Sequence, residues 1–451
     1  MPTPPRADIP DRIVQVDELF FSTTDRRGVI TGANTVFGDL SHYTRAELIG
    51  APHNIVRHPE MPGGAFAIMW DRLLAGHPMV AYVKNLASDG SSYWVFATIT
   101  PLGDGFLSVR GAPCRQDLWA AARGVYDEVL PLERNAREAG LSKAGAARVG
   151  AEALVARLAP LGFSDYGEFL RYVLPAEIEA RAALTRLSTE RPDLTGGIGA
   201  LHGAAHALGV ELSSLLVRLD AYLDLADNLR SASQDVVTTL AGLSAATATA
   251  SRASSTVAAD APVLARTASA MSVLAEDLRA QIQALARRLD DVHVRVMELR
   301  FRIGLARLHD DMVTSFALEV HAGQAPPEAL AYIPQLCRAL EDGTENVSAS
   351  LTGTSAELRD AADQVIVAEA RLHEFQHLLA TWRLLVTRYG MSSQLGPHVG
   401  PIDDQLRAGS DQLTSLRNLA RQCLAEAQPY DTARLRVPVA RVAQASDDLR
   451  R

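Results

Sequence analysis

Four ladders of apolar residues, stepped by threes and fours, limit what this chain can fold into. The first is Leu201, Ala205, Leu208, Leu212, Leu215, Leu219, Tyr222, Ala226 and Leu229. The second is Ile282, Leu285, Leu289, Val292, Val296, Leu299, Ile303 and Ala306. The third runs through Val347, Leu351, Thr354, Leu358, Ala361, Val365, Ala368, Leu372, Phe375, Leu379, Trp382 and Val386, and a shorter fourth through Leu413, Leu416, Ala420 and Cys423. Such steps bring side chains back to one side of a 3.6-residue helix, so each ladder is a seam. Residues 200–428 are therefore expected to be an all-α antiparallel helical bundle or coiled coil, in one chain or shared by two. From Met271 to Ile282 the steps are three, four and four, an interval of 11 that relaxes a left-handed supercoil. Pro326-Pro327 and Gly396-Pro397 are the expected turns between helices.

Residues 13–113 read differently. Short alternating runs are punctuated by turn signals, which predicts strands. Asp25-Arg26-Arg27-Gly28 marks a hairpin between 19–24 and 29–33, and Ser88-Asp89-Gly90 marks another between Pro78–Leu86 and Ser92–Leu102. Phe106–Gly111 supplies a last strand. Asn34–Leu40 reads as a short helix, and Thr44 to Glu47 has capping-box spacing. The expectation is a small α+β domain, one antiparallel sheet with a helical flank. Its centre is Gly50–Pro62, which holds two His, one Arg, one Glu and three Pro in 13 residues. Proline fixes φ and pushes its predecessor toward extended backbone, so this is a stiff loop presenting polar side chains. The next residues, Gly63 to Trp70, start an apolar helix. That pairing suits a planar, partly charged ligand.

The ordered series Ser22-Thr23-Thr24-Asp25, Ile30, Ala33-Asn34, Phe37, Glu47-Leu48-Ile49-Gly50, Pro52–Pro59, Met61-Pro62, Ala65-Phe66, Met69-Trp70, Lys84-Asn85, Gly90 and Tyr93-Trp94-Val95 resembles a PAS domain of the aerotaxis-receptor type. The resemblance implies non-covalent FAD between sheet and helical flank, read out as redox state or oxygen. It makes Asn34, Arg57, His58, Glu60, Trp70 and Asn85 the pocket candidates. Arg57 suits a phosphate or an electron-rich ring edge, His58 and Asn85 offer hydrogen bonds, and Trp70 offers a stacking face. Glu60 stands where the family pattern has Asp. Met79 stands where the pattern often has Trp, which removes an aromatic wall. Other states stay open. Haem would need an axial His, from His53, His58 or His77, and an empty domain would leave a cofactor-free dimerisation scaffold. Residues 242–260, rich in Ala, Ser and Thr, resemble the helices of chemoreceptor signalling bundles, but no kinase-binding hairpin tip is found.

Residues 114–199 read as a helical connector, with helices at 116–139 and 144–158 and a third, 163–174, stopped by Pro175. Arg191-Pro192-Asp193 and Gly196-Gly197-Ile198-Gly199 make a break before the long helices. Residues 1–12 and 429–451 are expected to be a flexible N-terminus and a C-terminal tail. With a net charge of −9, the chain is not expected to be a general binder of nucleic acid or anionic membrane. Three separated cysteines without a CxxC fit a reducing cytoplasm, and no transmembrane helix is expected. His373-Glu374-Phe375-Gln376-His377 matches the H-E-x-x-H zinc string, but the heptad puts its His and Glu away from the seam. The expectation is therefore a sensor and not an enzyme: no metal, a homodimer, and an unidentified signalling protein as partner.

Overall fold

The computed structural model describes residues 10–185, 193–325, 332–426, 428 and 430–449. The Pro326-Pro327 turn, Arg191-Pro192 and residues 1–9 lie outside the described residues.

The expected sheet forms from β1 (Phe20–Asp25), β2 (Ile30–Ala33), β3 (Met79–Leu86), β4 (Ser92–Leu102) and β5 (Gly105–Gly111), in the order β2-β1-β5-β4-β3. Every pairing is antiparallel. The first hairpin closes because the Asp25 carboxylate accepts from the amides of Arg27 and Val29 at 2.8 and 2.9 Å. Gly28 supplies the positive φ of 80°. Between β2 and β3 lie α1 (Thr35–Ser41), α2 (Arg45–Leu48), a 3-10 turn (His53–Val56) and α3 (Gly63–Leu74). The Thr44–Glu47 capping box is present. Phe20, Ile30, Phe37, Leu48, Val56, Tyr93 and Val95 form the core between the sheet and the small helices.

Three helices follow: α4 (Gln116–Glu138), α5 (Lys143–Ala156) and α6 (Tyr166–Leu184). Here one expectation is corrected. Pro175 does not stop α6 but lies inside it. Losing one N–H bond bends a helix without ending it when both sides are anchored, and Val173, Leu174, Ala176 and Ile178 are all buried. Tyr126 and Val129 of α4 and Leu154 of α5 share a core with Met61 and Ala65, so these helices are folded onto the α3 side of the sheet domain.

The long helices are α7 (Gly196–Ser255), α8 (Pro262–His321) and α9 (Ile333–Arg388), followed by the short α10 (Ser392–Leu395), then α11 (Val399–Glu426) and α12 (Ala433–Asp448). The chain divides into two compact units. The first joins the sheet and α1–α6 with 193–216, 299–348 and 431–449. The second, 217–298 with 349–430, is a four-helix bundle. Its core is drawn from Leu229, Leu240, Leu278, Leu285, Val365, Phe375, Trp382 and Leu416, among others. Every residue of the four ladders is buried. Within α7 one 18-residue window reaches a mean hydropathy of 1.2 and is 56% buried against its neighbours.

His373, Glu374 and His377 are exposed, whereas Leu372, Phe375 and Leu379 are buried. Among the described residues no three His, Cys, Asp or Glu gather as a metal site. Phe375→Ala is expected to cost the bundle about 3–5 kcal/mol, while His373→Ala should change it by less than about 0.5 kcal/mol. Chemical denaturation followed by helical circular dichroism checks both.

Candidate functional site

A cavity of about 430 Å³ lies between the inner face of the sheet and α3, partly open on one side. That volume lies within the roughly 300–1,000 Å³ range of small-molecule sites. Its apolar walls are Phe66, Met69, Trp70 and Leu73 from α3, facing Val83, Ala97, Ile99 and Phe106 from the sheet. Trp70 meets Phe106 edge-on at 5.8 Å between centroids. Its indole also lies over Gly28, where a Cβ would stand 3.2 Å from the ring.

The proline-rich loop is tied to the sheet at both ends. The His53 amide donates to Gly28 O at 2.8 Å, and Arg57 makes a β-bridge with Asn85. The start of α3 has no cap from its own neighbour, Pro62. Glu133 of α4 supplies one instead, accepting from the amides of Gly63 and Gly64, both at 2.7 Å. A carboxylate there satisfies orphan donors and complements the helix dipole. Nothing local to α3 signals this role, because Glu133 lies about 70 residues away on a separate helix.

Of the six candidate residues, the structure brings Arg57, Trp70 and Asn85 together on the cavity. The Arg57 guanidinium lies 4.0 Å above the Phe66 ring and donates to Met61 O at 3.2 Å. Burial lowers its pKa, against the pull of Glu133. The other three do not line the cavity, and the structure places them elsewhere. The Asn34 side chain accepts from the Phe21 amide at 3.1 Å and donates to Glu319 at 3.0 Å. His58 is buried, and its Nδ1 accepts from the Glu60 amide at 3.1 Å, closing the loop on itself. Glu60 points outward to Lys84 at 2.8 Å. Met79, where an aromatic wall was missed, is buried and does not line the cavity. Phe66, Trp70 and Phe106 supply the aromatic surface.

A PAS fold model matches residues 16–112. Residues 16–112 are a PAS domain. The aerotaxis receptor of Escherichia coli K12 is 42% identical over 115 residues, covering 24% of this chain and 22% of the receptor. The nitrogen fixation regulatory protein of Klebsiella pneumoniae is 31% identical over 90 residues, 20% of this chain and 18% of that protein. The biofilm dispersion protein BdlA of Pseudomonas aeruginosa is 33% identical over 87 residues, 18% of this chain and 20% of that protein. The chain thus spans about a fifth of the length of these curated relatives.

The PAS cavity also contains two polar groups that sequence reasoning missed in this role. Arg110 and His53 both line it. Arg110 is 6% exposed, and among the described residues no carboxylate pairs with it. It donates to Ser22 Oγ at 3.1 Å and His53 Nε2 at 2.9 Å, and lies over the Phe20 and Phe37 rings. Burial lowers its pKa to about 10. Arginine only donates, so His53 Nε2 accepts and the neutral ring carries its proton on Nδ1. Asn85 adds a buried side-chain amide. A side-chain hydrogen bond with Asn85 partly offsets the rise that burial gives the pKa of the neighbouring Tyr93 hydroxyl. The usable signal for Arg110 was the alternation Phe106, Ser108, Arg110, which puts a lone cation on the face shared with Phe20.

His53 is held well below its ordinary value of 6.5, first by burial and then by the charge of Arg110. An unfolded chain therefore takes up a proton below about pH 6.5 that the folded chain refuses, and stability declines as pH falls. His53→Gln should make the decline in thermal midpoint between about pH 6.5 and 5 shallower. Buried His309, lowered to about 4, keeps its own share in the variant. An unchanged slope in the variant would contradict the neutral assignment of His53.

Proposed function

We propose that this chain is a signal-transduction sensor whose PAS domain binds FAD and reads redox state or oxygen, as in aerotaxis. The observation that supports this reading best is a buried cation, with no carboxylate partner among the described residues, facing an aromatic-walled cavity. Burying a charge without a partner is costly. A ligand that brings an electron-rich edge to Arg110 removes that cost, and the Asn85 amide beside the cavity can donate to the same ring edge. Trp70 and Phe66 suit a planar ring system, with Arg57 as a second donor beside it. A bound flavin supplies reversible electron uptake. The protein's part is to hold the ring, keep Arg110 charged against it and shield that end from water.

In this reading the helical bundle carries the output to a signalling partner, and the protein acts in the cytoplasm as a homodimer. The name of the E. coli relative, aerotaxis receptor, supports the sensory class. A cofactor-free scaffold is the alternative.

The visible spectrum of the full-length protein separates the two. Oxidised-flavin absorption is expected in the wild type. Arg57→Ala and Trp70→Ala should each lose most of it while the helical circular dichroism is kept. Colour retained in both variants would remove the site assignment, and a colourless wild type would leave the scaffold.

A further inference from the structure

One carboxylate joins the outer face of the PAS sheet to the helices behind it. Glu177 of α6 is 2% exposed and uses both oxygens. Its Oε1 accepts from the Tyr82 hydroxyl at 2.6 Å and the Arg115 amide at 3.0 Å, and its Oε2 accepts from the Cys114 amide at 2.7 Å. Cys114-Arg115 is the link from β5 into α4. Tyr82 stands on β3, where side chains alternate between faces. Val83 and Asn85 of the same strand line the cavity. A shift of β3 from its cavity side therefore arrives at Glu177 through Tyr82.

From Glu177 the contacts continue into α8. Glu179 meets Arg300 at 3.1 Å, and Arg181 stands 3.9 Å from Asp311. On α8, Gly304 faces α6, with room for ordinary contact. A Cβ there would be 3.4 Å from the Leu174 side chain and 3.6 Å from Pro175. Pro175 is where α6 lacks one backbone bond, two residues before Glu177.

We propose that Glu177 is a positioning residue coupling β3 to α6 and α8, so that an occupant of the cavity moves these helices through the Tyr82–Glu177 hydrogen bond. The bond is short and charge-assisted, and the other contacts of the carboxylate are to fixed backbone amides, which leaves little slack. Where the occupant is flavin, this deepens the function proposed above; the coupling itself requires only that β3 moves.

The test uses the full chain and hydrogen exchange read by mass spectrometry. Asn85→Ala perturbs β3 from the cavity side without calling on a cofactor. The lost packing on the cavity side of β3 should speed exchange in 177–184 and 299–316 by about five- to tenfold. In a Tyr82→Phe background the added effect of Asn85→Ala should fall below about twofold. A carboxylate that merely holds structure would leave the Asn85→Ala effect intact in that background, and this result overturns the proposal. So does an Asn85→Ala effect that never reaches α6 and α8. Protection of 361–379 serves as the folding control. If Tyr82→Phe fails it, Glu177→Gln takes its place in the same cycle. Visible spectra of the same four proteins report flavin separately, so a colourless set fails the cofactor reading while the exchange cycle still decides the coupling.

Discussion

The account rests on a buried guanidinium that no carboxylate among the described residues neutralises. Arg110 is held by a serine hydroxyl, a neutral imidazole and two aromatic faces. These partners keep it in place without cancelling its charge. Each neighbour is shaped by that demand: His53 is forced to accept and so stays uncharged, and Ser22 is drawn into the same network. What remains unbalanced faces the cavity. The site is therefore polarised before any ligand arrives, and it favours an electron-rich edge over a cation.

A second regularity concerns carboxylates that reach the PAS domain from helices outside it. Glu133 caps α3, Glu177 holds the exit of β5, and Glu319 of α8 accepts from the Thr35 amide at 2.9 Å and from Asn34. Each satisfies backbone donors that the domain leaves open. Phe316, one turn before Glu319, packs edge-on against Phe21 at 5.2 Å. The domain thus does not close its own hydrogen bonding; the following helices complete it. A change in its shape is felt at these three points because unpaired buried amides are costly.

The helices were legible because their seams are local: steps of three and four fix one face whatever the tertiary context. The strands and hairpins were legible from turn chemistry at Gly28 and Ser88-Asp89-Gly90. The site was only half legible. Resemblance named residue types but not directions, so Arg57, Trp70 and Asn85 lie on the cavity while Asn34, His58 and Glu60 turn to other partners. Asn34 was lost to Glu319, 285 positions away in sequence. Arg110 is legible only in part, because the alternation Phe106, Ser108, Arg110 sets it on one face of β5 but only the pairing Phe20↔Arg110 shows that this face is the core side. Pro175 misled because burial on both sides of it outweighs one missing hydrogen bond.

The most direct measurement is the denaturation midpoint of the ligand-free protein, with and without added FAD, in the wild type and in Arg110→Met. If the guanidinium is an uncompensated charge awaiting its ligand, the variant without flavin is at least as stable as the wild type, and only the wild type gains clearly from FAD. A variant that is destabilised without flavin yet gains as much from FAD as the wild type would show that Arg110 serves the fold and not the ligand.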